Sequence, residues 1–311
     1  MGYRLAGNQR LGAIAAGRPW AARRLRLSAA LWRRPWLRAA ALLAPPLGWF
    51  VLIYLAALVA LFISAFWTLD PFTGKIVHSW TFDNFTQIFE SSTYRAIAFR
   101  TVAIAAAVTL TCAVVALPFA YFMARLASPR LRTLLFVAVL VPLWVSYLAR
   151  VYSWKLILAQ DGVLNWTLGK LALPDVGVAY STWAMWIVFS YVWLPFMILP
   201  VYAAMERIPD SYLEASGDLG ARGFRTMRSV VLPLVLPGLV AGSIFTFSLT
   251  LGDFITPQLV GGGKQFIGNV VYGNVGVAGN VPFAAAYATI PLVVMAIYLT
   301  IARRLGAFEA L

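Results

Sequence analysis

Apolar residues run along this chain in six long blocks separated by short polar stretches. Residues 47–67 carry no charge, and about 20 apolar residues span a hydrocarbon core of roughly 30 Å. The blocks predict helices over 40–68, 95–123, 133–158, 181–205, 229–251 and 283–302. Between them, 69–94 and 159–180 read as polar extramembrane segments, 125–132 as a short basic turn, and 206–228 as a longer polar segment. Residues 252–282 are rich in Gly and Asn, which suits a loop or a re-entrant hairpin. The first block begins about 40 residues in, too late for a cleaved leader, and reads as a retained first helix. Pro45 and Pro46 stand near its start, where proline is best tolerated.

Composition agrees with this pattern. Hydrophobic residues make up 61% of the 311 and charged ones 12%, against roughly a quarter charged in soluble proteins. No single soluble core hides so much apolar surface, so the surrounding solvent is lipid. The predicted fold class is all-α integral membrane with six transmembrane helices. The expected division is a basic tail over 1–39, a membrane domain over 40–304 and a short tail over 305–311. The tail at 1–39 suits either a helix lying on anionic headgroups around Arg23–Arg38 or plain disorder.

Charge sets orientation rather than partner class. The formal net charge is +14, but the basic residues cluster beside apolar blocks and do not alternate with aromatics, as a nucleic-acid groove would need. The tail, the turn at 125–132, the segment at 206–228 and the C-terminus hold 18 of the 25 Lys and Arg. With six spans, all four lie on one side, which places both termini in the cytoplasm. Lipid is thus a partner, and nucleic acid is not.

Catalysis and ion-driven transport find little support. Cys112 sits inside an apolar block as a packing residue, and His78 is the single histidine, so neither disulfide, thiol site nor metal site is expected. Carriers driven by ions keep acidic or histidine relays within their spans, and the blocks hold none at mid-span. Gly74-Lys75, Gly169-Lys170 and Gly263-Lys264 lack the earlier Gly and following Ser or Thr of a nucleotide-binding loop. The chain is expected to need no cofactor and to draw its energy from a partner.

The segment 206–233 carries the sharpest signal. Ser211 and Glu214 have the spacing of a capping box, which predicts a short amphipathic helix from Ser211 ending at Gly220, a favourable C-terminal position. Its small residues, Ala215, Ser216 and Gly217, suit a backbone lying deep in a groove of another protein. An ordinary interhelical loop is the alternative on composition alone. Beyond it, Pro233 and Pro237 open the next helix, where a bend is plausible. Gly238 and Gly242 suit close packing of a neighbouring helix.

Here the sequence resembles a known family. Glu214-Ala215-Ser216, three residues, Gly220, nine residues and Val230-Val231-Leu232-Pro233 are similar to the EAA motif of ABC importer permeases. Ser216 and Val230 depart conservatively from Ala and Ile. The resemblance implies the type I ABC importer permease fold, with a coupling helix that docks on an ATP-hydrolysing subunit. Glu214, Ala215, Ser216, Gly220, Leu232 and Pro233 are then the ATPase-coupling residues. Arg222, Arg225 and Arg228 either add contacts or serve as topology charges. The partners implied are two ATP-binding subunits, a second homologous permease chain as heterodimer and an external solute-binding protein.

Other stretches look like spermidine/putrescine-type permeases: Trp144, Ser146, Tyr147, Arg150, Tyr152 and Trp154; Gly252 to Pro257 with Gly261 and Gly262; and Trp67 to Phe89. This resemblance implies a polyamine substrate. A polycation suits aromatic faces and a carboxylate, so Asp253, Trp144, Tyr147, Tyr152 and Trp154 are candidate pathway residues. Alternatively the aromatics form an interfacial belt and Asp253 pairs with Arg150. Another small solute is the competing cargo.

Overall fold

The computed structural model describes residues 35–304. It contains twelve helices and a two-stranded hairpin among the described residues, with helix α1 at Ala39–Ser64, continuing back to Pro35. Then come β1 (Thr68–Leu69), β2 (Ile76–Val77) and α2 (Asp83–Glu90). The long helices are α3 (Ser92–Leu126), α7 (Thr182–Glu206), α9 (Gly223–Gly252) and α12 (Val281–Arg304). Shorter ones are α4 (Pro129–Trp144), α5 (Tyr147–Leu158), α6 (Val163–Lys170), α8 (Asp210–Asp218), α10 (Ile255–Val260) and α11 (Ile267–Gly276). The basic tail expected at 1–39 lies outside the described residues up to residue 34, and its last few residues are already helical. The tail at 305–311 also lies outside them.

The described residues divide into two units, with the boundary between Leu61 and Phe62. In the first, the described part of α1 presents its apolar side chains outward, as suits a helix facing lipid. Pro45 and Pro46 interrupt its hydrogen-bond ladder, and a π-helical stretch follows at Phe50–Leu55. The helix ends at Ser64, four residues earlier than its apolar run.

In the second unit, α3, α7 and α9 form the core. Helix α7 is apolar on all sides and is buried along its length from Ala184 to Met205. It runs parallel to α3: the Trp186 indole donates to Thr111 Oγ1 at 3.1 Å near one end, and Arg125 bonds the Met205 carbonyl near the other. Helix α9 runs antiparallel and comes very close. A Cβ on Gly238 would stand 2.6 Å from Ala204 Cβ and 2.7 Å from the Pro200 carbonyl oxygen. One on Gly242 would meet Met197 Sδ at 2.8 Å. Lipid gives no hydrophobic drive for helix pairing, so such close backbone approach is what holds the helices together.

Residues 133–158 do not form one straight helix. The chain breaks at Val145, which is extended, and Ser146, and the segments Pro129–Trp144 and Tyr147–Lys170 meet at 97°. Pro142 supplies no N–H to the ladder just before the break. Contacts at its two ends show how far α4 travels. Arg125, just before it, bonds the C-terminal carbonyls of α7. Tyr147, just after it, bonds Asp253 at the far end of α9. Helix α4 therefore crosses the bundle alone: its 16 residues extend about 24 Å at 1.5 Å per residue. The described helices thus include five long and apolar enough to cross a membrane, and the bent pair that begins with α4 makes a sixth.

Three other boundaries move. Helix α9 begins at Gly223, not near 229, because the arginines at 225 and 228 do not stop a helix; a π turn at Met227–Val231 adapts it to Pro233. The segment 69–94 holds the hairpin, α2 and the start of α3. Buried Asn84 donates to the carbonyls of Ala65 and Trp67 at 2.9 and 2.8 Å, fixing α2 beneath that hairpin. The segment 252–282 folds into α10 and α11; α11 packs with α12 around Ile267, Phe283 and Tyr287, and α10 packs through Val260 on the main core.

The arginines of 125–132, 207–228 and 303–304 gather at one end of these helices, and Asp253 and Tyr147 lie at the other. The close approach at Gly238 has a measurable consequence. Gly238→Leu overpacks the α7–α9 contact at a cost of about 1–3 kcal/mol, so the detergent-solubilised protein should melt at lower temperature. An unchanged melting temperature would contradict that contact.

Candidate functional site

Two regions gather the residues singled out by sequence, one at each end of the bundle. At the Arg-rich end, α8 starts at Asp210 with Pro209 before it and no side-chain cap. The Ser211–Glu214 capping box is therefore not formed. Proline fixes the entry φ, and Asp210 places a negative charge on the first turn. The other terminus matches expectation in detail. Ala221 N–H bonds the Ser216 carbonyl at 3.0 Å and Gly220 N–H bonds the Gly217 carbonyl at 2.8 Å. Gly220 has φ +75, so this is a Schellman ending that needs a left-handed residue. Space is not the reason for glycine there, since a Cβ would meet nothing within 4 Å.

The motif residues divide between two faces. Glu214, Ala215 and Gly220 are exposed, whereas Ser216 is buried and its hydroxyl lies 2.9 Å from Thr226 Oγ1, tying α8 to the start of α9. Leu232 is half-buried and Pro233 exposed, beside the π turn. Large apolar side chains missed by the sequence reading also stand in the open: Tyr212 (53% exposed), Leu219 (89%) and Phe224 (81%). A helical wheel of so short a helix does not separate such residues from packing ones. Arg222, Arg225 and Arg228 are exposed around them. A cavity of about 570 Å³ opens at the root of α8, lined by Pro200, Ala203, Arg207, Tyr212 and Pro237 among others.

At the opposite end, Asp253 is 8% exposed. Its Oδ1 accepts from the N–H of Ile255 at 2.7 Å and of Thr256 at 3.2 Å, capping α10. Its Oδ2 accepts from Tyr147 and, at 3.3 Å, from Thr256 Oγ1. Thr256, not foreseen from sequence, thus completes the cluster. Tyr147 stacks on Trp193 with ring centroids 5.5 Å apart. Arg150 does not pair with Asp253; its guanidinium lies 6.0 Å from the Tyr147 ring centroid and reaches the Val192 carbonyl at 3.4 Å. The remaining aromatics do not join the cluster. Trp154 packs on Tyr191, Tyr152 sits under the Lys155 ammonium, and Trp144 is 90% exposed.

The Cys112 thiol is buried and donates to the Ser190 carbonyl at 3.5 Å, and among the described residues no group of three His, Cys, Asp or Glu could hold a metal ion.

Residues 116–307 match the family described as binding-protein-dependent transport system inner membrane component. This stretch covers α4 through α12 and the whole of α8. The chain belongs to that family. It is a permease subunit of an ABC importer, a multi-pass protein of the bacterial inner membrane and not the ATP-hydrolysing subunit. The permease is 46% identical over 299 residues to the inner membrane ABC transporter permease protein YdcU of Escherichia coli, covering 92% of this chain and 95% of that one. It is 32% identical over 257 residues to the spermidine/putrescine transport system permease protein PotB of Escherichia coli, covering 82% and 92%. Its fold matches a chain of the crystal structure of a bacterial alginate ABC transporter at a TM-score of 0.69 with 18% identity, over 90% of this chain and 97% of that one.

The two glycines of α8 should behave oppositely. Gly220→Ala forces an L-residue into the left-handed region at about 1–2 kcal/mol, so amides of 210–221 should exchange with deuterium roughly 5–30 times faster. Gly217→Ala, in the helix and unobstructed, should slow exchange, since Ala is the better helix former. Equal exchange in both variants would remove Gly220 as the stop of α8.

Proposed function

We propose that this permease takes up polyamines of the spermidine/putrescine class, delivered by an external solute-binding protein. The observation carrying this reading is the 32% identity to PotB across most of both chains. Added to it are the aromatic and carboxylate residues at the end opposite the arginines. A second cargo reading, another small solute, draws on the relative at 46% identity, whose name carries no solute.

The membrane domain spans 40–304, both termini face the cytoplasm, and the Arg-rich end is the cytoplasmic end, in keeping with the positive-inside pattern. The loop 206–228 is the coupling loop. Glu214, Ala215 and Gly220 on its exposed face meet an ATP-binding subunit, with Tyr212, Leu219 and Phe224 supplying apolar area. Ser216, Leu232 and Pro233 act from behind by fixing how α8 leaves α9. A second, homologous permease chain completes a heterodimer, and two ATP-binding subunits dock below. ATP binding closes the ATPase pair, draws the two coupling helices together and turns the pathway from inward- to outward-facing. No cofactor takes part in the permease itself.

At the outer end, Asp253 is engaged by donors from its own chain. An ammonium would have to displace Tyr147 to reach it, so this carboxylate answers a cation only when the α5–α10 contact opens. Trp144 and Tyr152, turned outward, and Trp154 remain candidate faces for the cation.

The test is reconstitution of the permease pair, ATPase and binding protein in liposomes, with ATP hydrolysis measured with and without spermidine or putrescine. Stimulation should need both binding protein and polyamine; stimulation by a different solute alone would discard the cargo. In the same system Glu214→Arg or Gly220→Trp should abolish uptake while membrane insertion persists. Normal uptake by either variant would sink the docking role of α8.

A further inference from the structure

We propose that Arg125 and Arg132 are positioning residues for energy coupling, a cross-brace that makes α8 move as one body with α3, α4 and α7. The proposal rests on the docking role of α8 put forward above. Both arginines come from the basic turn that serves topology, but a topology charge needs only to be on the correct side of the membrane. It does not need to be withdrawn from water. The Arg125 side chain is 14% exposed, and its donors are divided among three acceptors. Nη2 bonds the Met205 carbonyl at 2.8 Å and the Ile208 carbonyl at 2.5 Å, and Nη1 bonds Asp210 Oδ1 at 2.5 Å.

These acceptors belong to a particular place. Met205 is in the last turn of α7, and Ile208 lies in the joint just past its end at Glu206. Asp210 is the first residue of α8. One guanidinium thus spans the joint between α7 and the coupling helix, at the point where Pro209 leaves no backbone N–H to do so. Arg132, on α4, completes the brace from the other side. Its Nε bonds the Met123 carbonyl at 3.0 Å and its Nη2 the Ala124 carbonyl at 2.8 Å, both on the π turn that ends α3. Its Nη1 lies 3.9 Å from Glu206 of α7, which also accepts from Tyr202. The fork of arginine suits such divided bonding, where the single ammonium of lysine does not.

A push on α8 is therefore delivered to the ends of three helices at once. Helix α3 carries it to the far end of the bundle, where Thr101 Oγ1 accepts from the Ile267 N–H at 3.1 Å at the start of α11. The arms of the brace differ in weight. Asp210 is 79% exposed, and an exposed ion pair contributes little. The partly buried bonds from a charged donor to carbonyls contribute more.

The experiment uses the complete reconstituted importer and reads polyamine imported per ATP hydrolysed, normalised to assembled complex, together with melting temperature. Arg125→Ala should lower that ratio about tenfold while ATP hydrolysis continues, and Asp210→Asn should change it by less than about twofold. Arg125→Lys should restore the ratio only in part. A merely structural arginine would lower the yield or the melting temperature and leave the ratio of the surviving complexes unchanged, which would overturn the proposal. Where Arg125→Ala fails to assemble, Arg125→Lys decides, and a wild-type ratio in that variant overturns it equally. Failure of the docking role is seen separately, as retained uptake in Gly220→Trp.

Discussion

Lipid gives an apolar helix no reason to leave it, and the fold of this permease depends on overcoming that indifference. It does so where α9 offers Gly238 and Gly242 to α7, so that backbone meets backbone across the two helices. Around this contact the alanine-rich α3 lies against α7, with Ala105, Ala116 and Ala120 fully buried. Large side chains on these faces would separate the helices and replace one dense contact with many loose ones. The two ends of the bundle are then free to specialise, because the middle is already held.

That middle also explains the character of the two ends. At the Arg-rich end, carbonyls at and just past the helix termini accept from guanidinium groups. Helix α8 emerges from such a terminus, and its orientation is set by a proline at entry, a serine behind it and a left-handed glycine at exit. At the opposite end the corresponding work falls to Asp253, which caps α10 and receives Tyr147 from the start of α5. A carboxylate so occupied is a joint in the protein first and a ligand for a cation only after that joint opens.

Much of this was legible along the chain. The apolar blocks located the long helices among the described residues, because about twenty apolar residues have few other uses, and Gly220 announced the end of α8 because few residues tolerate its conformation. What escaped prediction depended on tertiary context. The break after Trp144 lies inside an unbroken apolar run, where only Pro142 and Ser146 hint at it. The capping box at Ser211 failed because Pro209 and Asp210 begin the helix one residue earlier. The arginines at 125 and 132 read as topology charges, since no local pattern reveals that their acceptors lie some 80 residues away or on the preceding helix. The pairing of Asp253 with Tyr147 and Thr256, in place of Arg150, likewise needed the fold.

The account turns on whether the exposed face of α8 meets an ATP-binding subunit. Leu219 is the most open of its apolar residues, and the chain has one cysteine, the buried Cys112. Leu219→Cys in the assembled importer, labelled with a short thiol-anchored photo-cross-linker whose other end inserts into any neighbouring C–H or N–H bond, measures this contact directly. The predicted result is an adduct with the ATPase subunit, absent when the same cysteine stands at the exposed position Leu134 of α4. Equal adducts from both positions, or none from either in a complex that still imports its solute, would contradict it.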